Sequence, residues 1–274
     1  MGLYNTLRES GRKNGQGGLS EQSILHCHRI LHAALKQAVR WQLLLANPVD
    51  AVEGPHVVKQ EMKVLDSAQL DRLLTAAEGG TCYAAILLAV STGMRLGEIC
   101  GLKWDDVDMD GGFLSVRRSL EYAGAGGLRF KPPKTHHSVR RIDLPPGLIG
   151  ELRRHKARQN EDRLLMGTAF ENNDLVCCRP DGRPFRPDYV SRHFRELLAA
   201  AGMNHIRFHD LRHTHATWLL TSGVHPKVVQ ERLGHGTIGI TLDTYSHVLP
   251  SMQEEAARKI DVILQGALET KRRQ

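Results

Sequence analysis

An apolar stretch near the middle of the chain, Tyr83–Val90, constrains the fold more than any other feature of the sequence. Its side chains are apolar on every side, so a helix built from it has no face to turn to water and must be buried. The stretch is also far too short to cross a bilayer, which needs about 20 residues. The stretch therefore predicts a buried helix in a soluble protein.

Helical patterns predominate on both sides of this stretch. Ser20 is a good N-cap for a helix whose apolar residues recur every three or four positions as far as Leu43, and Asn47-Pro48 would end it. The polar residues before it, 1–19, predict a loose arm or the remnant of a longer element. Further helices are predicted over 66–77, 97–102, 146–165, 187–201, 209–222, 226–233 and 238–246.

Strand patterns are confined to one segment of the chain. Phe113–Ser119, Leu128–Phe130 and Ser138–Leu144 are short and separated by turns, so they predict a small antiparallel sheet. The predicted fold class is therefore mainly α with a small antiparallel β-sheet, an α+β fold.

The stretch Glu53–Lys63 contains Gly54, Pro55 and several charges, and it predicts a linker over 55–64. It separates a small helical unit, 1–54, from a larger domain, 65–250. An amphipathic tail helix is predicted over 251–274.

The composition is that of an ordinary globular protein, with 41% hydrophobic and 24% charged residues, which excludes disorder of the whole chain. Lys and Arg number 37 against 30 Asp and Glu, and this net charge of +7 favours a polyanionic partner. The cysteines form no regular framework, and no segment is typical of a signal peptide or a membrane span. We therefore expect a cytoplasmic protein that does not act at a membrane.

An arginine between two glycines follows the buried stretch. In the string TGMRLGE (92–98), Arg95 lies where two predicted helices meet, and Glu98 is placed to orient it. The pattern alone fits a structural Arg–Glu pair as well as a functional arginine.

The segment 113–141 is strongly basic. Seven cations face a single acid, Glu121, and such a surface either tracks a phosphate backbone or is an ordinary solvated face. The cations are Arg117, Arg118, Arg129, Lys131, Lys134, Arg140 and Arg141.

Histidines surround a second arginine. His209 and Arg212 are three residues apart and share a helix face, and His213 lies on the same side. The histidine pair raises a metal-binding alternative, although the H-E-x-x-H pattern is absent and the adjacent arginine disfavours a dication.

His235 follows a glycine at a predicted helix end, and Tyr245 comes ten residues later. Each alone fits a structural role. Together with Arg95, Arg212 and a lysine, they supply what phosphoryl transfer needs without a metal: guanidiniums for the phosphate oxygens, imidazoles for proton transfer and a phenol as nucleophile. The sequence contains neither a Walker P-loop nor a G-x-S-x-G elbow.

The order Arg…Lys…His-x-x-Arg…His…Tyr resembles the tyrosine recombinase family, also called phage integrases. The strings that carry the resemblance are TGMRLGEICGLKWDDVD (92–108), KPPKTHHSVRRIDLP (131–145), FHDLRHTHATWLL (208–220) and VVQERLGHGTIGITLDTYSHV (228–248). The resemblance implies the catalytic-domain fold of that family. The upstream phrase HRILHAALKQAVRWQLLLANPVDAV resembles the latter part of its SAM-like core-binding domain, whose first helices are expected to be missing.

Carried over position by position, the resemblance implies a role for each residue. Arg95 and Arg212 would clamp the scissile phosphate, and His235 would hydrogen-bond it. His209 would assist proton transfer, and Tyr245 would attack to form a 3′-phosphotyrosyl link.

The resemblance also implies that Lys134 is the general acid toward the 5′-hydroxyl, with Lys131 as a rival, and that Glu98 supports the site. The residues expected to contact DNA are Arg117, Arg118, Lys131, Arg140 and Arg141.

The implied function is that of a site-specific DNA recombinase, an integrase that uses no metal, ATP or other cofactor. Its expected partners are double-stranded DNA with specific core sites and further copies of the chain, as a tetramer on DNA and a monomer when free. A type IB topoisomerase would use the same chemistry without strand exchange. A non-catalytic DNA-binding protein is a second class, because the N-terminal part is short.

Overall fold

The computed structural model describes residues 2–58, 62–132, 139–246, 257–258 and 260–265. The chain divides into two compact units, Met1–Glu61 and Met62–Gln274. The division falls within the linker predicted over 55–64.

The first unit begins with two helices, and Ser20 caps the second as predicted, since its hydroxyl accepts a hydrogen bond from the Ser23 backbone N–H at 3.3 Å. This helix ends at Arg40, earlier than the predicted Leu43. The described elements are α1 (Gly2–Ser10), α2 (Glu21–Arg40) and a 3-10 turn, Pro48–Ala51.

The prediction of a loose arm over 1–19 was wrong for its first half, which is helix α1. Contacts with α2 stabilise this short helix. The Tyr4 hydroxyl bonds to His28 Nδ1 at 2.7 Å, and Arg8 Nε donates to Glu21 at 2.7 Å. Short helices are marginal by themselves, so this support is tertiary and is not visible in the local sequence.

The second unit contains each helix that was predicted between residues 66 and 246. A capping box starts the first, because the Asp66 carboxylate accepts from the Gln69 N–H at 2.7 Å and the Gln69 side chain accepts from the Asp66 N–H at 3.1 Å. The helices are α3 (Ser67–Ala77), α4 (Tyr83–Thr92), α5 (Leu96–Cys100), α6 (Pro146–Met166), α7 (Pro187–Ala200), α8 (Asp210–Thr221), α9 (Pro226–Leu233) and α10 (Ile238–Tyr245).

Helix α4 is buried, as its composition predicts. Ile86 and Leu88 are completely buried, and each such side chain stabilises the fold by about 1.5–3 kcal/mol. The core around them takes side chains from several elements, among them Leu73, Ile99, Leu114, Leu152, Phe194 and Leu211.

The strands form two small antiparallel sheets. One has the order β1-β2-β5, and the other pairs β3 with β4. The strands are β1 (Val107–Asp108), β2 (Phe113–Val116), β3 (Ser119–Tyr122), β4 (Leu128–Lys131) and β5 (Arg140–Asp143). The mainly α fold with small antiparallel sheets is therefore confirmed.

One predicted strand, Phe113–Ser119, is interrupted in the structure. It divides between β2 and β3 at Arg117 and Arg118. Arg118 forms an ion pair with the buried Asp106, and Arg117 Nη1 lies 3.8 Å from the same carboxylate. The chain leaves one sheet here and enters the other.

Helices α8, α9 and α10 share a second, smaller apolar cluster. It contains Ala216, Leu220, Val229, Leu233 and Tyr245. This packing places the end of α9 and the end of α10 beside α8.

Of the tail helix predicted over 251–274, the structure describes 257–258 and 260–265, which are helical and exposed, and the rest lies outside the described residues. Within the described part of the chain, no helix is both long enough and apolar enough to span a membrane.

Candidate active site

The turn that ends α4 positions Arg95. Gly93 there adopts the left-handed conformation with φ +67°, which glycine tolerates at little cost. A Cβ on Gly93 would lie 2.6 Å from Leu233 and 2.7 Å from His215, so glycine also permits the close approach of α8 and α9. Arg95 then occupies the N-cap of α5, and its backbone N–H donates to Glu98 Oε2 at 2.9 Å.

Glu98 is a buried carboxylate that binds two arginines. Its Oε1 accepts from Arg95 Nη1 at 2.9 Å and from Arg140 Nη1 at 3.2 Å, and its Oε2 accepts from Arg140 Nη2 at 2.8 Å. Burial by itself raises the pKa of Glu98, but the hydrogen bonds and charges of Arg140 and Arg95 outweigh it, and the pKa lies below its ordinary value. Glu98 therefore stays ionised and fixes Arg95, whose side chain keeps 41% of its surface exposed.

The end of α9 holds three arginines together. The last carbonyls of a helix lack intrahelical partners and carry the negative end of its dipole, so cations are stabilised there. Three guanidiniums donate to successive carbonyls of this end: Arg140 Nε to Arg232 at 2.7 Å, Arg212 Nη2 to Leu233 at 2.8 Å and Arg95 Nη2 to Gly234 at 3.3 Å. The two arginines predicted to clamp a phosphate are thereby brought side by side.

Arg212 is almost completely buried on α8. A second nitrogen, Nη1, donates to the carbonyl of Gly93 at 2.7 Å, which joins α8 to the end of α4. Burial and then the nearby charge of Arg95 lower the pKa of Arg212 to about 9, so the guanidinium remains charged at neutral pH. Because arginine carries five N–H donors, two carbonyl bonds leave donors for an oxyanion.

His235 follows Gly234, the left-handed residue that ends α9. Its Nδ1 lies 2.8 Å from the hydroxyl of Thr241 on α10. Burial, then Arg212 and Arg95, lower the pKa of His235 to about 4, so its imidazole is neutral at pH 7. The ring thus lies close enough to both arginines for their charges to affect its pKa.

His209 occupies the N-cap of α8, beside the arginine three residues later. Its ring meets that of His213 edge-on, with 5.0 Å between ring centroids. Burial, His213 and Arg212 lower the pKa of His209 to about 4. The structure therefore brings His209 to the same site.

Tyr245 is the last residue of α10, and only 1% of its surface is exposed. Its phenolic oxygen lies 2.8 Å from His213 Nδ1. Burial raises the pKa of Tyr245 to about 12, against a smaller opposing effect of the Arg212 charge. Tyr245 is thus a neutral phenol near the arginine pair.

No specific role was predicted for His213. Its spacing from His209 suggested only a possible metal site. Its contact with Tyr245 joins two residues that lie 32 positions apart along the chain, on different helices. Among the described residues, no group of three or more His, Cys, Asp or Glu side chains could hold a metal ion.

The cations of the basic segment 113–141 pair with acidic side chains both inside and outside this segment. Glu121 pairs with Lys131 and with Arg129, while Arg141 Nε donates to Asp143 at 3.1 Å. Arg117, Lys131 and Arg141 keep 59%, 40% and 60% of their side-chain surface exposed, whereas Arg118 keeps 26%. Lys134 lies outside the described residues.

Arg140 does not fit the prediction of a DNA-contacting surface residue. Only 6% of its side chain is exposed, because its guanidinium faces the buried Glu98 carboxylate and the end of α9. The structure gives Arg140 a supporting position within the site.

Comparisons with known proteins identify the family of this chain. The phage integrase family model matches residues 63–252. The tyrosine recombinase XerC-like protein of Caldanaerobacter subterraneus subsp. tengcongensis is 30% identical, covering 94% of this chain and 68% of its own. The ICEBs1 integrase of Bacillus subtilis is 29% identical over 90% of this chain and 67% of its own.

Solved structures show the same fold. The Tn1549 transposon integrase in complex with transposon right end DNA aligns with a TM-score of 0.76 at 23% identity, covering 90% of this chain and 81% of that one. A lambda integrase tetramer bound to a Holliday junction aligns with a TM-score of 0.53 at 22% identity, covering 79% of this chain and 57% of that one. The chain belongs to the phage integrase family and is a tyrosine recombinase, which acts in site-specific recombination by cleaving and rejoining DNA through a tyrosine transesterification.

Proposed function

We propose that Arg95, Arg212 and His235 bind the scissile phosphate of DNA and that Tyr245 attacks it. This proposal rests on one observation, that both arginines contact the end of α9. Arg95 and Arg212 donate to successive carbonyls there, and His235 is the next residue of the chain. Tyr245 is close enough for the Arg212 charge to affect its pKa.

In the proposed reaction, the phenolic oxygen of Tyr245 forms a bond to phosphorus while the bond from phosphorus to the 5′-oxygen breaks. Negative charge collects on the non-bridging oxygens, where two guanidiniums stabilise it. The neutral His235 donates a hydrogen bond to one of these oxygens. Lys134 gives a proton to the leaving 5′-oxygen, His209 assists proton transfer, and the phosphotyrosyl link retains the energy for rejoining.

The exposed cations of the segment 113–141 support binding along the DNA backbone. We assign this contact to Arg117, Lys131 and Arg141, with Arg118 closer to the protein interior. Phosphate contacts of this kind set position and orientation on the duplex, while base contacts select the site.

The partner is proposed to be double-stranded DNA that carries specific core sites, bound by four copies of the chain. The lambda integrase that shares this fold was solved as a tetramer on a Holliday junction. The first unit would bind DNA through its helices, as a core-binding domain does.

The test is formation of a covalent adduct. A binding sequence is first selected from a random duplex library, and a nicked duplex built on that sequence then traps the protein–DNA link. We expect a denaturant-stable adduct with the full chain and none with Tyr245→Phe. Tyr189→Phe, which alters a tyrosine on α7 outside the site, is the matched control and forms the adduct normally.

Two outcomes would contradict the proposal. An adduct that persists in Tyr245→Phe would move the nucleophile elsewhere. Loss of the adduct in the presence of EDTA would replace the arginine-based mechanism with a metal-dependent one.

A further inference from the structure

Tyr245 has one hydrogen-bonding partner for its phenolic oxygen in the described part of the chain, the Nδ1 atom of His213 at 2.8 Å. The rest of the phenol packs among Leu220, Val229 and Leu233. Apolar surroundings disfavour a phenolate. A nucleophile in this environment needs a base that takes its proton as the bond to phosphorus forms.

We propose that His213 is the proton acceptor for Tyr245, so that His213 is a catalytic residue and His209 acts beside it. This inference rests on the proposed role of Tyr245 as nucleophile. In the cleavage step, the phenolic proton moves to His213 Nδ1, the Tyr245 oxygen bonds to phosphorus, and the 5′-oxygen leaves with the electron pair of the broken bond. The rejoining step returns the proton from His213 to the departing phenol.

The position of His213 suits this task. The imidazole is half-buried on α8, and its neutral form with hydrogen on Nε2 has a free lone pair at Nδ1 for the phenolic hydrogen. Burial is the largest effect that lowers the pKa of His213, so this neutral form is present at pH 7.

Hydrogen bonds order the first turn of α8, next to His213. The Asp210 carboxylate accepts from the Arg207 N–H at 2.7 Å, and the Thr214 hydroxyl donates to the Asp210 carbonyl at 3.0 Å. The ring of His209 meets the His213 ring edge-on, with centroids 5.0 Å apart. No hydrogen bond joins His209 to the phenol among the described residues, so His213 is the imidazole in contact with the reacting atom.

Replacing His213 by asparagine separates proton transfer from simple positioning. An asparagine amide oxygen can still accept the phenolic hydrogen bond, but it cannot take the proton. We expect His213→Asn to lower the single-turnover rate of adduct formation on the nicked duplex by about 100- to 1,000-fold. DNA affinity should change little, and His193→Asn on α7 serves as the control that keeps the wild-type rate.

A fluorinated tyrosine at position 245 provides the second measurement. Its more acidic phenol depends less on a base, so it should restore at least part of the rate lost in His213→Asn. It should not rescue His209→Asn to the same extent. A side chain that only positions the phenol would not respond to phenol acidity.

Three results would overturn the inference. A wild-type rate in His213→Asn would show that only the hydrogen bond matters. A faster adduct in His213→Ala would identify a contact that restrains the nucleophile. A rate loss in His213→Asn that the fluorinated tyrosine does not relieve would indicate a structural role. Absence of any adduct with the wild-type chain would instead refute the proposed function itself, and the inference with it.

Discussion

Replacing Glu98 by alanine tests whether one buried carboxylate organises the arginines of the site. Glu98 and Arg140 expose only 7% and 6% of their side chains, and two hydrogen bonds of 2.8 and 3.2 Å join them. Removing one partner of a buried ion pair costs about 3–5 kcal/mol, and we expect that loss in the free energy of unfolding of the second unit. For a unit of this size the loss lowers Tm by roughly 6–20 °C.

Urea denaturation of the full chain, followed through the transition of the second unit, measures the effect. Glu121→Ala is the matched control, because Glu121 is also paired with two cations but 37% of its side chain is exposed, and solvent screens such pairs so that they stabilise the fold little. A double-mutant cycle with Arg140→Met should give a coupling energy of about 2–3 kcal/mol. Glu98 does not organise the arginines if Glu98→Ala costs no more stability than Glu121→Ala, or if the two substitutions in the cycle are additive.

The pH dependence gives an independent check on the same carboxylate. The pKa of Glu98 is lower in the folded chain than its ordinary value of 4.5, so its stabilising effect is present above pH 4.5 and is lost as the pH falls through the folded pKa. Glu98→Gln cannot ionise, so its stability should decline less than that of the wild type below pH 4.5. Parallel declines of the two proteins would contradict this assignment.

Three further outcomes follow from the site. Arg212→Lys keeps a charge but loses the fork that reaches two carbonyls, so adduct formation should fall by about 100-fold; an equal fall in DNA affinity would argue for a structural role. Gly93→Ala forces a Cβ to within 2.6 Å of Leu233, and urea denaturation should show a loss of about 1–3 kcal/mol, whereas no loss would disprove the close contact. Burial and the Arg232 charge lower the pKa of His215 to about 4 from 6.5, so lowering the pH from 7 to 5 should cost the wild type at most about 2 kcal/mol of stability that His215→Gln does not lose.

The helices of the second unit were predictable because their signals are local. The apolar stretch that became α4, the cap at Asp66 and the proline at the start of α9 lie within or beside their elements. Helix α1 was not predictable, since α2 stabilises it through side chains that lie far away along the sequence. A local sequence pattern does not show which distant side chains will contact a helix.

The residues of the site likewise divide into those that the sequence could predict and those that depend on distant contacts. Spacing and resemblance selected Arg95, Arg212 and Tyr245, and the structure brings them together. The burial of Arg140 escaped prediction because its carboxylate partner, Glu98, lies 42 residues earlier, so a run of basic residues looked like one continuous surface. The role proposed for His213 was equally hidden, because it depends on a contact between α8 and α10.

The charges of this site suit the transition state better than the resting phosphate. Among the described residues, three guanidiniums meet at the end of α9, and the Glu98 carboxylate offsets one of them. The histidines of the site are neutral at pH 7, and the helix end contributes only about half a negative charge. Among these groups, positive charge therefore exceeds negative charge. A phosphodiester carries one negative charge before attack and approaches two as the phenolic oxygen adds to phosphorus, so the attraction strengthens as the reaction proceeds. Because the arginines are already fixed by backbone carbonyls, the chain pays little reorganisation energy at that moment, which is the condition for electrostatic catalysis.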